Sequence, residues 1–212
     1  MNYFEIINKA LIELNYREVT SWEALTLNDH KRLKDIISRL NSQICASYDW
    51  PFLQRYYTMS IPKRISRVDN PVEGRIEAVF VDSNELMYSP DYKDFVTQNP
   101  HFGCYAAFAQ YLYFPPSDSA RTCEILYNTD NSAISQDGIE KRYLELQTDQ
   151  SLIQEVFQEP LLVYGACMRL KSNPEHNKFK YWYSMYTDAL ATMRAMAISS
   201  KGATPTINVN RT

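Results

Sequence analysis

Three histidines, four cysteines and two close pairs of carboxylates are the side chains of this sequence best suited to chemistry at neutral pH. His30, His101 and His176 fall in three separate segments: near a helix start, in a loop after Pro100, and early in the last helical stretch. A general base or a metal ligand needs a second group held beside it, so isolated imidazoles in such places read as capping or surface residues. Asp91 with Asp94 and Glu140 with Glu145 have the spacing of paired acids, but nearby lysines and a polar context make each pair a solvated face. Cys45, Cys104, Cys123 and Cys167 lie far apart with no CxxC, which supports neither a zinc site nor a disulfide framework; free, mostly buried thiols are expected. There is no GxGxxG, Walker-type loop, HExxH or GxSxG, and the 5 glycines are few for phosphate-cradling loops. The expectation is a chain with no catalytic residues, no cofactor and no metal.

Aromatics interleaved with lysines in KFKYWYSMY could stack on single-stranded bases. Helical spacing divides them differently. Phe179, Trp182, Tyr186, Leu190, Met193 and Ala197 share one stripe and are expected in a core, while Lys178, Lys180 and Tyr181 fall outside it. A net charge of -3 and a pI near 5.7 further disfavour a protein that neutralises many phosphates.

These residues need elements to position them, and 212 residues with 45% hydrophobic content suffice for a real core. Phe4, Ile7, Leu11 and Leu14 predict a helix from about Tyr3 to Asn15. Thr20 with Glu23 can form a capping box around Trp22, and Thr26 or Asn28 can cap a second helix carrying Leu33, Ile36, Ile37, Leu40, Ile44 and Tyr48, ended by Pro51. The middle of the chain, with LQRYYTMSI, RIEAVFV, ELMYS, CYAAFAQYLYF and RTCEILYN between Pro, Asn, Asp and Ser clusters, predicts an antiparallel sheet. Asp82 to Asn84 suits a tight hairpin, and Pro115 to Ser119 a wider one whose register would place Leu112 near Cys123. SPDYKDFVTQN reads as a short helix opening at Pro90. Pro160 is placed to start a helix bearing Leu161, Tyr164, Cys167 and Met168, in which Gly165 and Ala166 permit close approach of a neighbour. Asn173 as N-cap and Pro174 at N1 open the last helix.

The order helices, strands, helices predicts an α+β fold. Residues 1–53 and 148–199 are expected to form a helical bundle, residues 54–147 an inserted antiparallel β lobe, and residues 200–212 an extended C-terminal tail. The tail, with Gly202, Pro205, Ile207 and Val209 among Thr and Asn, holds too little apolar surface to offset roughly 1 to 2 kcal/mol per residue of backbone entropy, so a partner must order it. No apolar run approaches the roughly 20 residues that span a bilayer, and MNYFEIINKALIEL lacks the continuous apolar stretch of a signal peptide, so synthesis in a cytoplasm is expected.

Two N-terminal helices broken at YDWPF, a β-rich middle, LIQEVFQEPLLVYGACMRLK, a long final helix and an extended tail together resemble the head-to-tail adaptor, or first tail tubular protein, of short-tailed bacteriophages. The likeness spans nearly the whole chain and is strongest from Leu152 to Leu170; Gln154 stands where the family commonly has proline. The resemblance implies a structural, non-enzymatic virion protein at the head-to-tail junction. It would form a ring, usually twelve-fold, that docks on the portal, extends the DNA channel without binding DNA specifically, and carries the tail tube or nozzle. It also implies that the tail segment Thr204, Pro205, Thr206, Ile207, Asn208, Val209, Asn210 and Arg211 lies along the portal. Two readings of other classes stay open: a small intracellular enzyme or regulatory subunit with a dispersed site, and a nucleic-acid-binding module.

Overall fold

The structure is a computed structural model that describes residues 1–91, 93, 95, 103–173 and 175–202, the last three by backbone alone. The short helix expected from Pro90 lies largely outside the described residues, as do His101, Pro174 and the whole segment Thr204 to Arg211. The fold is mixed α+β and divides into two compact units, residues 1–53 with 131–212, and residues 54–130.

The first unit is built on four helices. Helix α1 (Tyr3–Glu13) begins with a capping box: the Asn2 side chain accepts from the Glu5 amide at 2.9 Å, and Glu5 Oε2 accepts from the Asn2 amide at 2.9 Å. It buries Ile6, Ile7, Ala10 and Leu11 completely. Helix α2 (Asn28–Ala46) presents Leu33, Ile37, Leu40 and Ile44 to the same core. Its N-cap is Leu27, not Thr26 or Asn28, and no side chain caps it. Nor does Thr20 cap the short 3₁₀ turn Trp22–Ala24, whose N-cap position is Ser21. Apolar packing holds both ends: Trp22 lies edge-on to Tyr3 at 5.4 Å and under the Lys34 ammonium at 3.8 Å.

Helix α3 (residues 155–171) departs from the sequence reading. Pro160 does not start it; the chain is already helical over Glu155–Gln158, passes through a π-helical stretch Glu159–Tyr164 and returns to α over Gly165–Lys171. Proline has no N–H for the carbonyl four residues back and its ring crowds that carbonyl, so the ladder re-registers by a wider turn instead of breaking. Helix α3 packs against all three other helices. Gly165 permits this: a Cβ there would stand 2.7 Å from Leu40 Cδ2 on one side and 3.0 Å from the Tyr186 ring on the other. Helix α4 (Phe179–Gly202) starts later than Asn173 and Pro174 suggest. Asn173 instead caps a separate turn, accepting from the Glu175 amide at 3.0 Å, because Ser172 closes α3 in the left-handed conformation with φ of 46° and the chain must first reverse.

Seven strands make the second unit: β1 (Gln54–Ile61), β2 (Arg67–Asp69), β3 (Gly74–Val81), β4 (Asn84–Tyr88), β5 (Cys104–Phe108), β6 (Tyr111–Tyr113) and β7 (Arg121–Thr129), in spatial order β1-β7-β3-β4-β5-β6-β2. The β3–β4 hairpin turns in two residues, with Asp82 and Ser83 both at positive φ (50° and 66°), the conformation that matches strand twist. Three expectations are corrected. The sheet is not wholly antiparallel, since β4 and β5 pair in parallel, Met87 opposite Cys104. Residues 89–103 are long enough to return the chain in the same direction. CYAAFAQYLYF is not one strand but the β5–β6 hairpin, turning at Ala109 with φ of 54°. Pro115 to Ser119 does not join a hairpin either: β6 pairs with β5 and β2, whereas β7 lies between β1 and β3, so Cys123 faces Met59 and Val81, not Leu112. The core of this unit holds Ile61, Val79, Leu112, Phe114, Cys123 and Ile125. At Gly74 (φ 148°) a Cβ would stand 2.0 Å from the Asn128 carbonyl oxygen, so only glycine lets β3 and β7 close.

Residues 131–147, assigned above to the inserted lobe, belong to the helical unit. They supply β8 (Ala133–Ile134) and β9 (Glu140–Lys141), which with β10 (Gln150–Ser151) form a small sheet in the order β10-β8-β9. A buried polar network fastens it to α2. The Asn41 amide donates to the Ser132 carbonyl at 2.8 Å, and the Ser151 hydroxyl donates to Asn41 Oδ1 at 2.6 Å. The fully buried Asp149 carboxylate accepts from the amides of Glu145 and Leu146 and from Lys141 Nζ at 3.3 Å.

Candidate functional site

The residues singled out for chemistry are dispersed by the fold. His30 is buried on α2, His176 stacks on Trp182 with centroids 5.1 Å apart, and His101 lies outside the described residues. Asp91 accepts from the Lys93 amide at 3.0 Å, a local turn contact, and Asp94 is outside the described residues. Glu140 is in β9, whereas Glu145 follows it on the segment held by Asp149. Among the described residues no group of three His, Cys, Asp or Glu side chains is placed to hold a metal ion. The four cysteines are free thiols, with Cys45, Cys123 and Cys167 buried. Burial pushes the Cys45 and Cys167 thiols up to about 12 each, which keeps both protonated at neutral pH.

Helix α4 sorts its stripe as its spacing predicts except at Phe179, which is only half-buried and not part of the core. Trp182, Met193 and Ala197 are buried, with Tyr186 and Leu190 packed against the same core. The end of α1 anchors the start of the helix: Trp182 Nε1 donates to Glu13 Oε2 at 3.2 Å, and Lys178 Nζ donates to the Glu13 carbonyl at 2.9 Å. The helix leads toward the segment that the resemblance assigns to the portal.

Beside the core stripe runs a second, which spacing alone does not separate from it. Tyr181, Met185 and Met196 recur on one face and stay exposed, Met196 by 50%. Across from them, on the first turns of α3, Val156 is 72% exposed. Two hollows flank this meeting of α3 and α4. One, of about 410 Å³, is bounded by Val156, Pro160, Tyr164 and Met185, with Glu155 and Glu159 among its polar walls. The other, of about 140 Å³, is bounded by Trp50, Phe52, Phe157, Met193 and Met196. Lys9 pairs with Glu159, and Tyr164 donates to Glu159 Oε1 at 3.3 Å while receiving a bond from the Tyr181 hydroxyl at 3.4 Å. The result is an apolar groove whose rim carboxylates, Glu155 and Glu159, are paired with the Met1 amine and Lys9. Such a surface suits macromolecular contact, where exposed aromatics and methionines supply area.

No helix among the described residues is long and apolar enough to cross a membrane. No protein-family model matches the chain, and no curated protein matches it.

Proposed function

We infer that this chain is a structural virion protein, a head-to-tail adaptor of a short-tailed bacteriophage. In this reading copies made in the host cytoplasm close into a ring of about twelve at the head-to-tail junction, dock on the portal protein, extend the DNA channel and offer a platform to the tail tube or nozzle. The four helices act as a helical bundle closed by both chain ends; α4 runs to Gly202, past the expected start of the tail at Ser200, and the residues after Gly202 form the extended tail that lies on the portal, with Ile207 and Val209 in pockets and the backbone between them paired or grooved. The protein performs no catalysis, and DNA passes through the lumen without specific binding.

The observation that carries the reading is the chain's organisation. Both ends of the sequence contribute to one helical unit while residues 54–130 leave it to form a sheet, and α4 is the last element among the described residues. This is the arrangement that the likeness to the adaptors implies. The apolar groove between α3 and α4 supports it too, because ring closure needs each subunit to offer two unlike faces, only head-to-tail contacts closing into a high-order cycle. The test is cryo-EM of the purified protein mixed with the portal ring encoded in the same genome. A ring seated beneath the portal is expected; bare portals at saturating protein would overturn the reading.

A further inference from the structure

The acidic balance of the chain is not uniform. Although Asp and Glu number 25 against 22 Lys and Arg, residues 36–48, 160–172 and 189–199 contain no carboxylate, and their charged residues are Arg39, Arg169, Lys171 and Arg194. The fold brings these stretches of α2, α3 and α4 together around a hollow of about 220 Å³. Its apolar wall is Leu40, Ile44 and Leu190, its polar wall is Gln43, Arg169 and Arg194, and no acidic residue bounds it. It shares no residue with the two hollows that flank Val156 and Met196. The two guanidinium groups stand there without a counter-ion. Arg169 Nη1 donates to Gln43 Oε1 at 2.7 Å, a neutral amide oxygen that orients the group and leaves its charge uncompensated. Arg194 has no hydrogen bond or ion pair among the described residues, and both arginines are exposed. Solvated arginines are ordinary on a surface, but two that border one apolar hollow match an anion that carries an apolar body.

We propose that this hollow is the docking site for an acidic segment of a different protein, one that carries an Asp or Glu next to an apolar side chain. The apolar side chain covers Leu40, Ile44 and Leu190, and the carboxylate meets Arg169 and Arg194, whose planar guanidinium groups can bind both of its oxygens. Seating the segment removes water from around the charges, so these ion pairs are stronger than solvent-exposed ones. Charge and apolar area select the occupant together. A nucleic-acid backbone would satisfy the arginines but offers nothing to the apolar wall, interfaces with nucleic acid being more polar and much more positively charged. A protein segment supplies both, and Arg and Tyr, here Tyr186 beside Arg169 and Arg194, are the residue types enriched in such contacts. The contact is independent of the adaptor reading. It adds a docking surface on the folded unit, apart from the tail segment after Gly202.

The experiment titrates the full-length protein against a fluorescein-labelled hexapeptide of alternating Glu and Leu, read by fluorescence anisotropy. Wild type is compared with Arg169→Gln, Arg194→Gln and, as a control, Arg32→Gln at the far end of α2. All three substitutions lie on exposed side chains, and circular dichroism with thermal melting verifies that each variant folds. Wild type and Arg32→Gln are expected to bind alike, each hollow variant to bind about tenfold or more weakly, and a peptide with Gln in place of Glu to lose binding to the same extent. No binding at about 1 mM peptide, or binding that ignores Arg169→Gln and Arg194→Gln, would overturn the site. A single-stranded thymidine oligonucleotide that binds through the two arginines where the peptide does not would make the occupant nucleic acid and overturn the protein partner. Sedimentation velocity tests the second copy: self-association of wild type that both hollow variants abolish would overturn the assignment to a different protein. No portal enters these measurements, so each outcome leaves the adaptor reading to its own test.

Discussion

At the scale of single residues, Trp182 ties the last helix to the first. Its ring is fully buried, stacked by His176, and its indole N–H is satisfied by Glu13. Trp182→Ala removes the ring and leaves a cavity, while Glu13 keeps its ion pair with Lys178, at an expected cost of about 3 to 5 kcal/mol. Urea denaturation measures this, and an unchanged midpoint would mean that the stripe does not face the core. The buried thiols make a second prediction. Cys45 and Cys167 rise on folding from the ordinary 9.0 to about 12, so the folded state holds these protons more tightly than the unfolded chain does. Their contribution is complete below the unfolded value and is lost as pH climbs from about 9 toward 12. Stability should therefore fall across that window. Cys45→Ala should show a shallower fall than wild type even if it starts lower; parallel curves would remove Cys45 from the effect.

At the scale of elements, the approach of α3 to its neighbours depends on one missing methyl group. Gly165→Ala gains roughly 0.8 to 1 kcal/mol of helix propensity. It also drives a Cβ to within 2.7 Å of Leu40, which is itself fully buried, and to 3.0 Å of the Tyr186 ring. Overpacking of that kind costs roughly 1 to 3 kcal/mol, so crowding outweighs propensity and a net loss of about 1 kcal/mol is expected. Chemical denaturation of the variant gives the sign directly. A more stable Gly165→Ala protein would show that α4 can move away from α3 without penalty.

At the scale of the whole molecule, the prediction concerns the chain end. Among the described residues no core residue of the helical unit lies beyond Ala197, so truncation after Gly202 is expected to leave the packing of the four helices in place. Thermal melting of the truncated protein should match the full-length protein within a degree or two, while retention on immobilised portal rings is expected to drop sharply. The double change Ile207→Asp with Val209→Asp should lose retention without shortening the chain, since burying two unpaired carboxylates is costly. Equal retention of all three proteins would move the docking surface off the tail and onto the folded units.

What the sequence by itself determined is local. The stripes of α1, α2 and α4 follow from a 3.6-residue period carried by residues such as Ile7, Leu11, Leu33, Leu40 and Trp182, and the tight β3–β4 turn from Asp82 and Ser83, which tolerate positive φ. Tertiary structure decided what depends on partners distant along the chain. Strand composition marks β7 as a strand but not that it would lie between β1 and β3, because pairing is chosen by packing and not by spacing. Residues 130–138 look polar and loop-like, and long-range contacts, the bonds from Asn41 to Ser132 and from Ser38 to Leu144 with burial of Ala133 and Leu144, assign residues 131–147 to the helical unit. Pro160 reads locally as a helix start, yet burial of Leu161, Leu162 and Val163 holds α3 together through a π-helical turn. The groove was hidden for the same reason. Tyr181, Met185 and Met196 sit beside the core stripe on the helix wheel, and periodicity cannot tell which of two adjacent apolar rows a neighbouring helix will cover, because that is settled by where α3 lies.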